Sequence, residues 1–262
     1  MGGAFKAFGW PNLSAGGSVH NGDGQIRLHI LWRVWLLLEL CLLYIGVPIV
    51  LYHLVHAERM PLFVLLPPVL LVFVIVLLWD RSFLLRRELV QGIPWRELLS
   101  IFAVFIIGGG MVAAYVQQEM PRAFLNFPMR RPETWQRVMT LYPLASVIVQ
   151  ELVYRTFFFH RYGVLFAGLP WVMIVLNGVL FGVAHMLFGN WVAVIGTAVI
   201  GCLLAYRYAA TRSLWAVVIE HTLWGWLVFT VGLGGFFFTG QSNMPAWQML
   251  QRFIGDFRGL VF

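Results

Sequence analysis

Residues 149–160 read Val-Gln-Glu-Leu-Val-Tyr-Arg-Thr-Phe-Phe-Phe-His, an apolar run that carries an amide, a carboxylate and a guanidinium within six positions. On a helix, Glu151 and Arg155 stand four apart and share one face. Their surroundings make the pair informative. Apolar runs of about 20 residues, enough to cross a bilayer as a helix, recur on both sides of this stretch. An ion pair at such depth is costly, and it is retained for function or for a paired structural role. His185 and His221 interrupt later apolar runs in the same way. Three polar points on three late helices are expected to meet at one depth in a bundle.

The chain of 262 residues is 60% hydrophobic and 11% charged, with 12 Trp and 22 Phe. A soluble domain would be about 25% charged. With a mean hydropathy of +0.81, the principal solvent is lipid. Long unbroken apolar runs argue against a membrane β-barrel, whose strands alternate over about ten residues. The expected fold is therefore all-α: a polytopic transmembrane bundle of about seven spans with interfacial amphipathic helices. The net charge of +7 sits largely in loop arginines and is expected to meet anionic headgroups. No basic tract with interleaved aromatics lies outside the membrane runs, so nucleic acid is not an expected partner. Cys41 and Cys202 both lie in apolar stretches and predict neither a disulfide framework nor a thiolate metal site.

Residues 1–27 read as a polar tail and residues 28–262 as a single membrane-embedded domain. Spans are expected at 28–54, 61–79, 98–116, 139–159, 169–188, 191–206 and 214–233. Pro67 and Pro68 are expected to kink the second. Residues 80–97, with Arg81, Arg86, Arg87 and Arg96 among apolar residues, read as a cytoplasmic interfacial helix. That cluster places the N-terminus inside. Gly108, Gly109 and Gly110, and later Gly196 and Gly201, are expected to permit close helix approach. Residues 117–137 read as a loop, with a lid or entry segment as the alternative, and the tail from 236 reads as interfacial. Glu39 is expected to be a structural partner inside the bundle, Arg207 a loop residue, and His160 with Arg161 an interfacial anchor.

One chemistry open to the three points is hydrolytic; the alternative is that the histidines are hydrogen-bonded structural residues. Glu151 is read either as a base toward water, its proton affinity raised by apolar surroundings, or as the helix partner of Arg155. A neutral His185 can share that water or donate to a leaving amine. His221 can supply a hydrogen bond to a developing oxyanion, and Gln150 can orient a water or a substrate carbonyl through its amide. A transporter would show ionisable residues along a continuous path and paired broken helices, whereas the acids here cluster late.

Gln-Glu-x-x-x-Arg at Gln150–Arg155, Phe-x-x-x-His at Phe181–His185 and the late His221, reached through Ser213-Leu-Trp-Ala216, resemble three motifs of one family. It is the CPBP family of CAAX prenyl proteases and bacteriocin-processing proteins, also called Abi or type II CAAX proteases. The resemblance covers about residues 139–230, the protease-like core. It implies a glutamate-dependent intramembrane endopeptidase with no obligatory metal and no cofactor. In that picture the acidic motif and His185 activate water, His221 and an asparagine four residues later bind the oxyanion, and Arg155 supports the motif. The implied partners are membrane lipids and a protein or peptide substrate reached from the bilayer. Prenylated C-terminal tails, bacteriocin leaders and C-terminal sorting tags are all substrate candidates. The implied location is a bacterial inner membrane.

Two positions depart from the pattern. Gln150 stands where the family's first glutamate is expected, and Gly225 where the asparagine is expected. Gln150 cannot take a proton as a carboxylate does. Three readings follow: a subfamily in which Glu151 or a shifted water works, an introduced isosteric replacement, or an inactive member serving in immunity or partner binding.

Overall fold

The computed structural model describes residues 22–237 apart from 59, 61, 80–82 and 84, and no strand occurs among the described residues. The tails at 1–21 and 238–262 lie outside the described residues, as do Arg81 and the side chains of Arg86 and Arg87. Helix α1 (Gly22–Cys41) passes through a wide π-helical turn at Leu42–Gly46 into α2 (Val47–His56). Then come α3 (Leu62–Trp79), the short α4 (Leu85–Val90), α5 (Trp95–Glu119) and α6 (Asn126–Arg130). Helix α7 (Pro132–Tyr142) leads through π turns at Pro143–Val147 and Leu152–Phe157, which flank α8 (Ile148–Glu151), into α9 (Phe158–Tyr162). Last are α10 (Pro170–Ala184) with a 3-10 turn at His185–Phe188, α11 (Trp191–Thr211) and α12 (Leu214–Val231).

The all-helical membrane bundle is thus the observed class. Five described stretches are long and apolar enough to cross a bilayer: Ile30–His56, Trp95–Glu119, Pro170–Phe188, Trp191–Thr211 and Leu214–Val231. The other two expected spans correspond to α3 and to the interrupted run from α7 to α9. Residues such as Ile106, Ile107 and Met111 on α5 are about two-thirds exposed. Side chains of this kind cover a face that lipid, not water, can solvate.

Several expectations need correction. The first helix begins at Gly22, within the stretch read as tail. Residues 117–137 are largely helical, because Pro132 fits the first turn of α7 and Glu133 suits its N-terminal end. Among the described residues of the stretch 80–97, the six-residue α4 precedes the start of α5. Arg207 is no loop residue: α11 extends to Thr211, and Arg207 is buried in ion pairs.

Two of the three wide turns have a covalent cause. Pro48 and Pro143 lack the N–H that would close an α-helical bond to the residue four earlier, so the ladder cannot run on unbroken. The carbonyl of Met139, four before Pro143, accepts the Trp226 indole N–H at 2.8 Å instead. No proline accounts for the turn at Leu152–Phe157. There the Tyr44 hydroxyl donates to the Val153 carbonyl at 2.6 Å, and the Asn177 amide to that of Tyr154 at 2.7 Å. At membrane depth a wide turn persists only where side chains satisfy the backbone in this way.

The core around this run is aromatic. Tyr44 is fully buried and meets Phe73, Tyr154, Phe158 and Tyr162 edge-on, at centroid distances of 5.2–5.9 Å. Helices α10 and α11 approach more closely, through glycine. A Cβ on Gly178 would come 2.8 Å from Cys202 Cα, and one on Gly182 would come 2.6 Å from the Val194 carbonyl oxygen. Gly201 packs on Gly178 as expected, whereas Gly196 faces open space. Of the earlier triplet, Gly108 and Gly109 face Trp224 and Leu227, and Gly110 faces nothing.

One end of the bundle is tied by charge. Arg207 binds Glu220 at 2.9 Å, Glu97 and Ser100, and Tyr208 reaches Glu88 on α4 at 2.7 Å. Glu39 is a structural partner: both its oxygens accept from Arg161 at 2.9 Å, and Tyr162 adds a third bond. Arg161 therefore ties α9 to α1.

The glycine contacts predict opposite outcomes for one substitution. Gly182→Ala is expected to destabilise the protein by about 1–3 kcal/mol through overpacking, seen as a lower midpoint of thermal unfolding in detergent. Gly196→Ala is expected to leave that midpoint unchanged or to raise it slightly, since alanine is the better helix former.

Candidate active site

The four polar positions of the two helical motifs face different surroundings. Glu151 and Arg155 are fully buried. The guanidinium Nε lies 3.2 Å from Glu151 Oε2, yet the N–H does not point along that line, so both atoms lack a directed hydrogen bond. Their attraction is coulombic. Arg155 gains its directed bond from α10, where Asn177 Oδ1 accepts at 2.7 Å, and its charge lies 4.9 Å from the centre of the Phe181 ring. Such cation–π contacts gain strength when desolvated.

The second carboxylate oxygen reaches α12. Glu151 Oε1 is 2.7 Å from His221 Nδ1, and on the other side of the imidazole Nε2 is 3.0 Å from the Tyr142 hydroxyl. The structure thus links Arg155, Glu151, His221 and Tyr142 into one chain running from the wide turn at Leu152–Phe157 through α12 to the end of α7. A carboxylate only accepts, so Nδ1–H donates to Glu151; with that one proton on the ring, Nε2 accepts from the Tyr142 O–H.

Gln150 and His185 face the other way. They line a cavity of about 190 Å³ whose remaining wall is largely apolar, with Leu43, Val47 and Leu51 on one side and Val69 and Phe73 on another. Ser146 adds a hydroxyl to that wall and accepts from the Gln150 amide at 2.6 Å. The amide oxygen of Gln150 is buried without a partner. His185 Nδ1 donates to the Phe181 carbonyl at 2.7 Å, which leaves Nε2 as its acceptor. The Phe181 ring lies against both histidines. Its centre lies 4.6 Å from the His185 ring and 5.6 Å from the His221 ring.

Of the five residues singled out in the sequence, Arg155, His185 and His221 lie against Phe181, Gln150 joins His185 on the cavity wall, and Glu151 pairs with His221. Among the described residues, no three His, Cys, Asp or Glu side chains converge as a metal-ligand set. Three members of the arrangement escaped the sequence reading. Asn177 had a signal, a lone amide in the apolar run of α10. Tyr142 and Ser146 had none, since a tyrosine and a serine near a span are ordinary.

The fold and this site define a multi-pass, all-helical membrane protein with a buried acid–base chain beside an apolar cavity. Residues 133–227 match the family described as type II CAAX prenyl endopeptidase, Rce1-like, and that segment contains Gln150, Glu151, Arg155, His185 and His221. The motif-bearing part of the chain is thus similar to that family, in agreement with the three motifs. No curated protein and no solved structure matches the chain in the same comparisons.

The buried pair predicts a non-additive result. Arg155→Met leaves the Glu151 carboxylate buried and uncompensated, at a cost of about 3–5 kcal/mol. The double variant Glu151→Gln/Arg155→Met removes both charges and is expected to unfold at a higher temperature than Arg155→Met alone. Equal melting of the two would show that the pair is not coupled.

Proposed function

We propose that the protein is an intramembrane endopeptidase that cuts a membrane-attached protein near one of its termini, in a bacterial inner membrane, and that it depends on Glu151. The observation that carries this reading is the juxtaposition of His185 and Gln150 on the wall of an apolar cavity, backed by the Glu151–His221 chain. The family match of residues 133–227 supports peptide-bond hydrolysis over a purely binding role.

The geometry favours a division of labour. Glu151 is fully buried, with one oxygen on His221 and the other beside Arg155. It has no open edge for a water, so its role is that of an orienting charge. His185 presents Nε2 from the cavity wall and is assigned the general base. It takes a proton from the attacking water as the new C–O bond forms at the carbonyl carbon, and it returns that proton to the leaving amine as the C–N bond breaks. Gln150, held by Ser146, orients the water or the carbonyl. The Glu151–His221 arm is assigned to the carbonyl oxygen, where negative charge develops.

The cavity's apolar side suits a substrate held in the bilayer by a lipid or an apolar segment. A survey of protein termini in membrane vesicles carrying the purified protein tests the reading. A farnesylated peptide with a C-terminal CAAX sequence and its unlipidated twin serve as defined probes. New termini are expected with wild type and are expected to vanish with His185→Ala and with Glu151→Ala. Identical termini from wild type and His185→Ala would overturn it. Cutting by Gln150→Glu but not by wild type would instead mark this chain as the non-cutting member of its family.

A further inference from the structure

An imidazole whose one proton sits on Nδ1 has no hydrogen to offer from Nε2. If the Glu151–His221 arm serves the carbonyl oxygen, its donor must then come from elsewhere. The group at Nε2 is the Tyr142 hydroxyl, 3.0 Å away. We infer that Tyr142 is a catalytic residue, supplying the hydrogen-bond donor of this arm, and that Gly225 exists to make room for it. The inference rests on the peptidase reading above and adds to it the identity of the donor.

Gly225 ties the two residues together. It lies on α12 four residues after His221, and so on the same face. A Cβ built there would fall into the Tyr142 ring against Cε1 and would come 2.5 Å from both Cζ and the hydroxyl oxygen. The position beside Nε2 can thus be reached from either helix: by a side chain growing from residue 225, or by the tyrosine arriving from α7. It has room for one. In this chain the glycine yields it to Tyr142, whose ring is wedged between His221 and Phe229, with a centroid distance of 5.4 Å to the latter. The missing side chain at 225 is therefore not a missing donor.

The hydroxyl can do what a fixed imidazole N–H cannot. A phenolic O–H rotates about its C–O bond, so it can rest on Nε2 and turn toward an anionic oxygen arriving beside it. An anionic acceptor makes the stronger bond. No proton leaves Tyr142 in this step. The hydrogen bond moves from nitrogen to oxygen while charge builds on the carbonyl oxygen, and it moves back as the intermediate collapses. His221 and Glu151 hold the phenol in place between turnovers.

The test uses the full chain in vesicles. Tyr142→Phe keeps the ring and removes the donor, and the rate of terminus formation is expected to fall about a hundredfold to a thousandfold, as for other oxyanion donors, with thermal unfolding unchanged. Gly225→Asn is expected to be inactive because its side chain meets the Tyr142 ring. The double variant Tyr142→Ala/Gly225→Asn is expected to regain much of the lost rate, since a short amide then donates from the other helix. In 15N spectra of histidine-labelled protein, Tyr142→Phe is expected to shift the His221 Nε2 resonance toward that of an unbonded acceptor. An active wild type with an equally active Tyr142→Phe, or an Nε2 resonance that does not move, overturns the donor and leaves the peptidase reading standing. A wild type that cuts nothing overturns both.

Discussion

Arg155 carries a full positive charge where neither water nor headgroup reaches it. Its side chain is entirely buried, in a helix whose neighbours are Phe157, Phe158 and Phe159. A guanidinium there is tolerable only if fixed groups replace its hydration. Glu151 supplies the opposite charge, Asn177 an oriented amide oxygen and Phe181 the face of a ring. Each of these then has its own neighbour to satisfy. Glu151 takes His221 by Nδ1, Asn177 turns its amide hydrogens to the Tyr154 carbonyl, and Phe181 sets its ring between the two histidines. The site is the set of contacts that one buried cation requires.

The same constraint extends to the backbone. The motif-bearing run is not a regular α-helix, and its wide turns free carbonyls that lipid cannot bind. Side chains from three other elements take them: Tyr44 from the first span, Asn177 from α10 and Trp226 from α12. These bonds hold the run in register with the helices that carry the histidines. Wide turns of this type often occur at functional sites. Here their cost is met by partners that also hold the motif-bearing run against α10 and α12.

Much of this was legible in the sequence, for a physical reason. Where nearly every residue is apolar, any ionisable side chain is a signal, so Glu151, Arg155, His185 and His221 stand out without a structure. The i, i+4 spacing of Glu151 and Arg155 could be read directly as contact. What escaped was relation across helices. Nothing in the order of residues shows that Glu151 turns to His221 while Gln150, its neighbour, turns to a cavity beside His185. The wide turns were hidden too, since proline within an apolar run reads equally as a kink. Arg207 was misplaced because charge was taken as the end of a span, whereas Glu97 and Glu220 let it stay inside. Gly225 read as a loss, because the residue that fills its space lies more than eighty positions earlier.

The cavity has a consequence for what it can choose. Leucine, valine and phenylalanine on its wall resemble lipid chains, so an apolar anchor entering it from the bilayer would gain little and lose little. Its peptide groups fare differently. An amide drawn out of the interface without a partner costs a few kcal/mol, and the wall offers it Ser146, Gln150 and His185 within one small region. Discrimination at this point falls on the backbone. A segment still coiled as a helix keeps its amides to itself and has no use for those three groups, while an unwound one needs them. On the peptidase reading, such a chamber would sort incoming chains by whether they can uncoil, before any side chain is read.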